Sequence, residues 1–193
     1  MRYAQRFEDK RIDQHVQLSL DKMAFGGIYD QIGGGFTRYS VDVLWKVPHF
    51  EKMLYDNAQL IELYADAYER YQKPHFKELV YQSIAFLSRE LHAENGAFYS
   101  ALDADSEGEE GKFYCWTPSE IKALFPNNAA LVCDYLNINQ RGYWEADKYI
   151  PLRTQSDAAF AKKHQLETAD WLQQKARILD TLLSARSERI RPG

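Results

Sequence analysis

Apolar positions recur at helical spacing through much of the chain. Val16, Leu20 and Met23 fall on one face and Gly26-Gly27 closes the run, which predicts a first amphipathic helix ending at the glycine pair. Leu60, Ile61, Tyr64, Tyr68 and Tyr71 make a second stripe. Pro74 breaks it and opens a third helix, in which Phe76, Val80, Ile84, Leu87 and Leu91 repeat every three to four residues until Asn95-Gly96. The pattern then shortens. Ala97–Ser100 and Lys112–Trp116 are brief aromatic runs that read as two strands around an acidic turn. Thr117-Pro118-Ser119-Glu120 combines an N-cap, a first-turn proline and a glutamate three residues on, which starts a helix that stops near Pro126. Ala129–Leu136 reads as helix, Gly142–Glu145 and Lys148–Leu152 as extended, and Leu172, Leu179, Leu182 and Leu183 mark one side of a last helix. The pattern predicts a mainly α protein with a small β-hairpin, its helical hairpins following in series within one domain over residues 1–193.

Composition narrows the class. The 193 residues are 45% hydrophobic and 27% charged, enough for an ordinary core. A net charge of −4 argues against a nucleic-acid or anionic-membrane surface. No apolar run is long enough to span a bilayer, and the N-terminus has no apolar signal core. Cys115 and Cys133 have neither a C-x-x-C nor a zinc spacing, so they read as reduced, partly buried thiols in a cytoplasmic protein.

The candidate chemistry centres on Gly26–Ser40. Five of the ten glycines lie between Gly26 and Gly35, beside Arg38 and Tyr39. Glycine is kept where φ must be positive or backbone must approach closely, so this stretch reads as the floor of a pocket. Gly33-Gly34-Gly35 lacks the Lys-Ser/Thr of a phosphate loop, which argues against a nucleotide. His49 follows Pro48 and stands just before a helix expected to begin near Phe50, where the dipole would keep it neutral and able to act as a base. Glu51 and Asp56 would orient it or share its proton, and Arg38 would pair with an anion. The competing reading makes His49 a local brace of the glycine loop. His15, His75, His92 and His164 are scattered singly and read as surface residues. Tyr99, Trp45, Trp116 and Trp144 could offer flat faces to a sugar, or be core.

Five carboxyls crowd the eight residues from Asp103 to Glu110. Asp103-x-Asp105-x-Glu107-Gly108 begins like a calcium loop, but the twelfth position is Tyr114, where a bidentate Glu belongs, so no metal is expected. Asp103 and Asp105 could instead serve as the acid–base pair of sugar chemistry. The competing reading is a solvated hairpin tip.

Three blocks carry a resemblance: Gly26–Ser40, Trp45–Ala58 and Phe98–Thr117. They closely resemble the thioredoxin-domain-containing proteins related to the spermatogenesis-associated, thioredoxin-like protein of animals and to bacterial proteins of the YyaL type. The likeness continues to Ala185-Arg186-x-x-Arg189-x-Arg191-Pro192. It implies a thioredoxin-like domain before this chain and an α/α toroid of the six-hairpin glycosidase type, shared with N-acylglucosamine 2-epimerases and several glycoside hydrolases. This chain would supply about half of an (α/α)6 barrel, leaving an apolar edge through which copies could self-associate. It also implies a sugar-like cleft, but supplies no reaction and no cofactor. Two readings follow. One is a carbohydrate-active domain, epimerase- or glycosidase-like, with His49, Glu51, Asp103 and Asp105 as acid–base groups and Arg38, Tyr39, Trp45, Asp56, Tyr99 and Trp116 contacting the ligand. The other is a non-catalytic module that binds a ligand or a protein.

Overall fold

The computed structural model describes the backbone of residues 1–193 and the side chains of all but Arg2 and Gln5. Helices dominate: α1 (Arg2–Arg6), α2 (Lys10–Phe25), α3 (Leu54–Tyr71), α4 (Pro74–Phe86), α5 (Pro118–Leu124), α6 (Ala129–Leu136), α7 (Asp157–Lys163) and α8 (Thr168–Ser187). Asp9 caps α2 by accepting from the Arg11 and Ile12 amides. Gln72 turns α3 off in a left-handed conformation, and Pro74 restarts the chain in α4 at a position that needs no amide. The Thr117 capping box forms as its sequence predicts: Thr117 Oγ1 accepts from the Glu120 amide at 3.2 Å, and the Glu120 carboxylate accepts from the Thr117 amide at 2.7 Å.

Three helix pairs pack in series, α3 on α4, α5 on α6 and α7 on α8. One core gathers Leu20, Tyr29, Phe36, Tyr64, Phe76 and Leu79 between α2, α3, α4 and the glycine loop. A second gathers Trp116, Ile121, Val132, Leu136, Phe160, Trp171 and Leu182 among α5–α8. Between them Phe50, Ala104, Tyr114, Cys115 and Ile150 form a smaller core.

The β structure is three antiparallel two-stranded ladders. β1 (Tyr39–Ser40) pairs with β2 (Pro48–His49), β3 (Lys52–Met53) with β4 (Ala101–Leu102), and β5 (Asp105–Ser106) with β6 (Glu109–Glu110). The two expected aromatic strands are not there. Phe98 makes only an isolated bridge to His92. Lys112–Tyr114 coils into a turn, because the Tyr114 and Cys115 amides both bond to the Gly111 carbonyl at 3.0 Å. The hairpin that exists is made of the acidic residues themselves.

Two predicted stripes are rotated. In α4 the buried face is Phe76, Leu79, Ser83 and Phe86, whereas Ile84 is exposed, because Gly34 and Gly35 lie against the Gln82 carbonyl and the Phe86 ring. In α8 it is Trp171, Lys175, Ile178, Leu182 and Arg186, with Leu172 outside. Two charged residues take core positions there because carboxylates wait for them. Lys175 Nζ reaches Glu78 at 2.6 Å and Asp157 at 3.0 Å, and Arg186 Nη1 reaches Asp30 at 2.9 Å. Two of the histidines expected at the surface are also paired. His75 bonds Asp21 at 2.8 Å and His164 bonds Asp134 at 2.7 Å, each against a phenylalanine ring.

Candidate functional site

The glycines bring distant segments together. The Gly27 amide bonds to the Trp45 carbonyl at 2.7 Å, and any side chain at Gly27 would collide with the Lys46 carbonyl. Asp42 shapes the returning loop by accepting from the amides of Leu44 (2.7 Å), Lys46 (3.1 Å) and Val47 (2.9 Å). That return lays β2 beside β1. Asn57, buried in the first turn of α3, copies a strand partner: its side chain accepts from the Phe36 amide at 2.7 Å and donates to the Phe36 carbonyl at 2.9 Å. The Arg38 amide then bonds to the Glu51 carbonyl at 2.9 Å.

His49 therefore lies in a strand. α3 begins only at Leu54, so the helix-dipole argument for a neutral imidazole does not apply. Carboxylates hold the ring instead. Nδ1 sits 2.9 Å from Glu110 Oε1, and Nε2 sits 3.7 Å from Glu51 Oε2. The ring stacks on Tyr39 at 5.1 Å, its partner in the β1–β2 register. Glu110 is anchored from behind by the Phe50 amide at 3.3 Å. Arg38 Nη1 contacts the same Glu51 oxygen, Oε2, at 3.3 Å. Asp56, one turn into α3, has a buried Oδ2 with no hydrogen-bond partner. Burial raises its carboxyl above the usual range, Arg38 opposes this and Glu51 adds to it. Arg38 and Asp56 also line a groove of about 790 Å³ whose apolar wall includes Met23, Leu60 and Leu63.

Arg38, Tyr39, His49, Glu51 and Asp56, taken from the sequence as site residues, thus form one cluster. The others stand elsewhere. Asp103 is exposed, with its amide on the Gly193 carbonyl at 2.7 Å. Asp105 is exposed too, opposite Glu110 across the acidic hairpin. It is Glu110, not either aspartate, that the hairpin delivers to His49. Among the described residues no three acidic, His or Cys side chains converge as metal ligands would. Tyr99 is exposed, with its amide on the Leu91 carbonyl at 2.8 Å. Trp116 is core, 2% exposed, with the Arg189 guanidinium 4.0 Å over its ring. Trp45 lines a separate cavity.

Sequence reasoning missed Glu110 and a buried ion cluster behind the site. Lys52 Nζ bonds Asp30 Oδ2 at 2.8 Å and the Gly34 carbonyl at 2.9 Å, and it lies over the Phe86 and Tyr114 rings. Arg186 holds the other Asp30 oxygen, which also accepts from the Ile32 and Gly33 amides at 3.0 Å. Burial alone would raise the Asp30 pKa, but the two cations outweigh it and hold it far below the carboxylate range. Burial pulls Lys52 down to about 8 despite Asp30. The signal was present in the sequence: Asp30 lies inside the glycine loop, and Lys52 follows His49 by three residues.

A mainly helical chain whose glycine loop presents an imidazole between two carboxylates matches no family model. It is 42% identical over 125 residues to spermatogenesis-associated protein 20 of Homo sapiens, covering 62% of this chain and 16% of that protein. The Mus musculus protein of the same name is 41% identical over the same span. The uncharacterized protein B0495.5 of Caenorhabditis elegans is 33% identical over 202 aligned positions, covering 92% of this chain and 28% of that protein. The chain thus spans less than a third of the length of these curated relatives. They support the likeness to spermatogenesis-associated protein 20 drawn from the motifs. No helix among the described residues is long and apolar enough to cross a membrane.

Proposed function

We propose that the Arg38–His49–Glu51–Asp56–Glu110 cluster is an acid–base site for a sugar-like substrate. One observation carries the reading: His49 is oriented through Nδ1 by Glu110, while Nε2 lies too far from Glu51 for a hydrogen bond. With Glu110 ionised, Nδ1 keeps its proton and Nε2 presents a lone pair, the arrangement of a general base. Asp56, its carboxyl raised by burial, supplies the acid. In a hydrolysis, Nε2 takes a proton from water as Asp56 gives one to the leaving oxygen. In an epimerisation, Nε2 takes a proton from carbon next to a carbonyl, and Asp56 returns one on the other face.

The helical hairpins are, in this reading, part of an α/α toroid preceded by a thioredoxin-like domain in a cytoplasmic protein. The serial helix pairs and the greater length of the relatives support it. The apolar tip Val41, Val43 and Leu44, which is exposed, supports self-association.

A thermal-shift panel of mono- and disaccharides tests the site, with deuterium wash-in from heavy water as the readout of epimerisation. At least one sugar is expected to raise the melting temperature of the parent but not of His49→Ala or Glu110→Gln. A panel with no response in the parent removes the carbohydrate reading. A shift without hydrolysis or exchange assigns the cluster to a non-catalytic binding module.

A further inference from the structure

A second cavity, of about 640 Å³, lies between the end of α2, the loop of residues 41–47 and the segment of residues 140–154. Four cations line it, Lys22, Lys46, Arg141 and Arg153, with one carboxylate, Asp21; Arg153 Nη2 is already paired with Asp157 Oδ2 at 3.0 Å, which leaves three. Asp21 is itself held by Lys73 and His75, whose hydrogen bonds outweigh its burial and lower its pKa. Lys46 Nζ donates only to the Tyr143 carbonyl, at 2.7 Å. Among the described residues Lys22 and Arg141 have no carboxylate within ion-pair reach. In a chain of net charge −4 this is a local surplus of positive charge.

The end of α2 would normally repel an anion, because unpaired carbonyls gather there. Here those of Ala24 and Phe25 are taken. Gln31 Nε2 donates to the Ala24 and Gly26 carbonyls at 3.0 and 3.1 Å, and the Arg153 amide donates to the Phe25 carbonyl at 2.7 Å. The aromatic walls differ from each other. The Phe25 ring is engaged by His75 at 4.7 Å and by the Arg153 guanidinium at 5.1 Å. Trp45 is the remaining one, half-buried with one side packed against the α2–α4 core. It is held at φ 61, a left-handed conformation rare for a bulky residue, by the Asp42-braced loop and by contact with Gly26. Gln140 and Thr154 add polar groups.

We propose that this cavity binds a phosphorylated monosaccharide. Several uncompensated cations suit a dianionic phosphate better than a neutral ring or a single carboxylate. One available aromatic wall, with hydrogen-bonding groups elsewhere in the cavity, suits a pyranose, which has an apolar face and a hydroxyl rim. A nucleobase is better served by two aromatic faces. The site is independent of the His49 cluster and needs no chemistry there.

Calorimetric titration of the chain with glucose 6-phosphate, glucose, inorganic phosphate and AMP tests this. Glucose 6-phosphate is expected to bind at least tenfold more tightly than the other three, and less tightly as salt is added. The double variant Lys22→Glu/Arg141→Glu changes two exposed side chains and is expected to keep the parent's melting temperature while binding at least tenfold more weakly. Glucose binding as well as its phosphate, AMP binding more tightly, or no binding at all would overturn the assignment. So would full affinity in the double variant, or loss of affinity in His49→Ala, which would put the ligand in the other site.

Discussion

His49 and Lys52 are three residues apart, and each stands among carboxylates, yet the two clusters are built on opposite terms. Lys52, Asp30 and Arg186 expose 1%, 7% and 3% of their side chains, against 30%, 26% and 42% for His49, Glu51 and Glu110. In the buried cluster each carboxylate oxygen of Asp30 has partners, as burial of charge demands. In the open one, Nε2 of His49 is unbonded and water can reach the ring. A closed ion cluster fixes a shape, and an unfinished one leaves room for a substrate. Here the first holds the glycine loop, β3 and α8 together, and the second rides on that frame.

The sharpest way to break the comparison is Asp30→Asn. It leaves two buried cations facing a neutral amide, so stability should fall by about 3–5 kcal/mol in urea melts. The pH dependence gives a second handle. The folded Asp30 pKa is depressed, so its contribution is present at neutral pH and above the unfolded value of about 3.9, and it is lost as pH falls toward the folded value. Asp30→Asn should therefore flatten the acid side of the stability profile. Lys52 gives a slope of the same sign in a more alkaline window, because its pKa is depressed too, here by burial of its charge. Its folded value of about 8 lies below the roughly 10.4 of an unfolded lysine, so between those values the unfolded chain binds more protons and stability rises with pH. Lys52→Met should remove that alkaline slope.

Next in size is Gly27→Ala. Its new methyl would meet the Lys46 carbonyl and the Ile150 side chain, neither of which can simply swing away. A loss of about 1–3 kcal/mol is expected from overpacking. If the melt is unchanged, the 41–47 loop is not pinned as described.

Helix positions were largely legible in the sequence, because caps and breakers act locally: Thr117, Pro74 and the Gly26-Gly27 pair each do their work within a few residues. Helix rotation was less so. The stripes of α4 and α8 turned because burial there answers to distant partners, the glycine loop for Phe86 and Asp30 for Arg186. Buried charge leaves no local mark either: Lys52, Lys175 and Arg186 lie inside because carboxylates distant along the chain meet them there. For the site, adjacency along the chain pointed to Arg38, His49, Glu51 and Asp56. It could not rank five acidic residues in one loop, since alternation decides which of them faces β2, and that depends on where the hairpin turns. Glu107-Gly108 forms the turn, with φ of 56 and 74, and so brings Glu110 opposite Asp105 and onto His49.

The smallest expected effects fall on the acidic hairpin, and they sharpen the comparison most finely. Asp103→Asn and Asp105→Asn alter exposed side chains and should shift stability by no more than about 0.5 kcal/mol. Neither should change the sugar response assigned to the His49 cluster. Glu110→Gln should also be mild in a melt, under about 1 kcal/mol, because a half-exposed pair with His49 is screened by water. Yet it should abolish the ligand response, since a neutral amide can donate to Nδ1 as readily as accept from it and no longer fixes the tautomer. Chemical-shift titration of the His49 ring separates the two roles. Where the ring is neutral, the parent should hold one tautomer and Glu110→Gln should populate both. If Asp105→Asn disturbs the ring as much as Glu110→Gln does, the hairpin acts through its summed charge and not through one oriented contact.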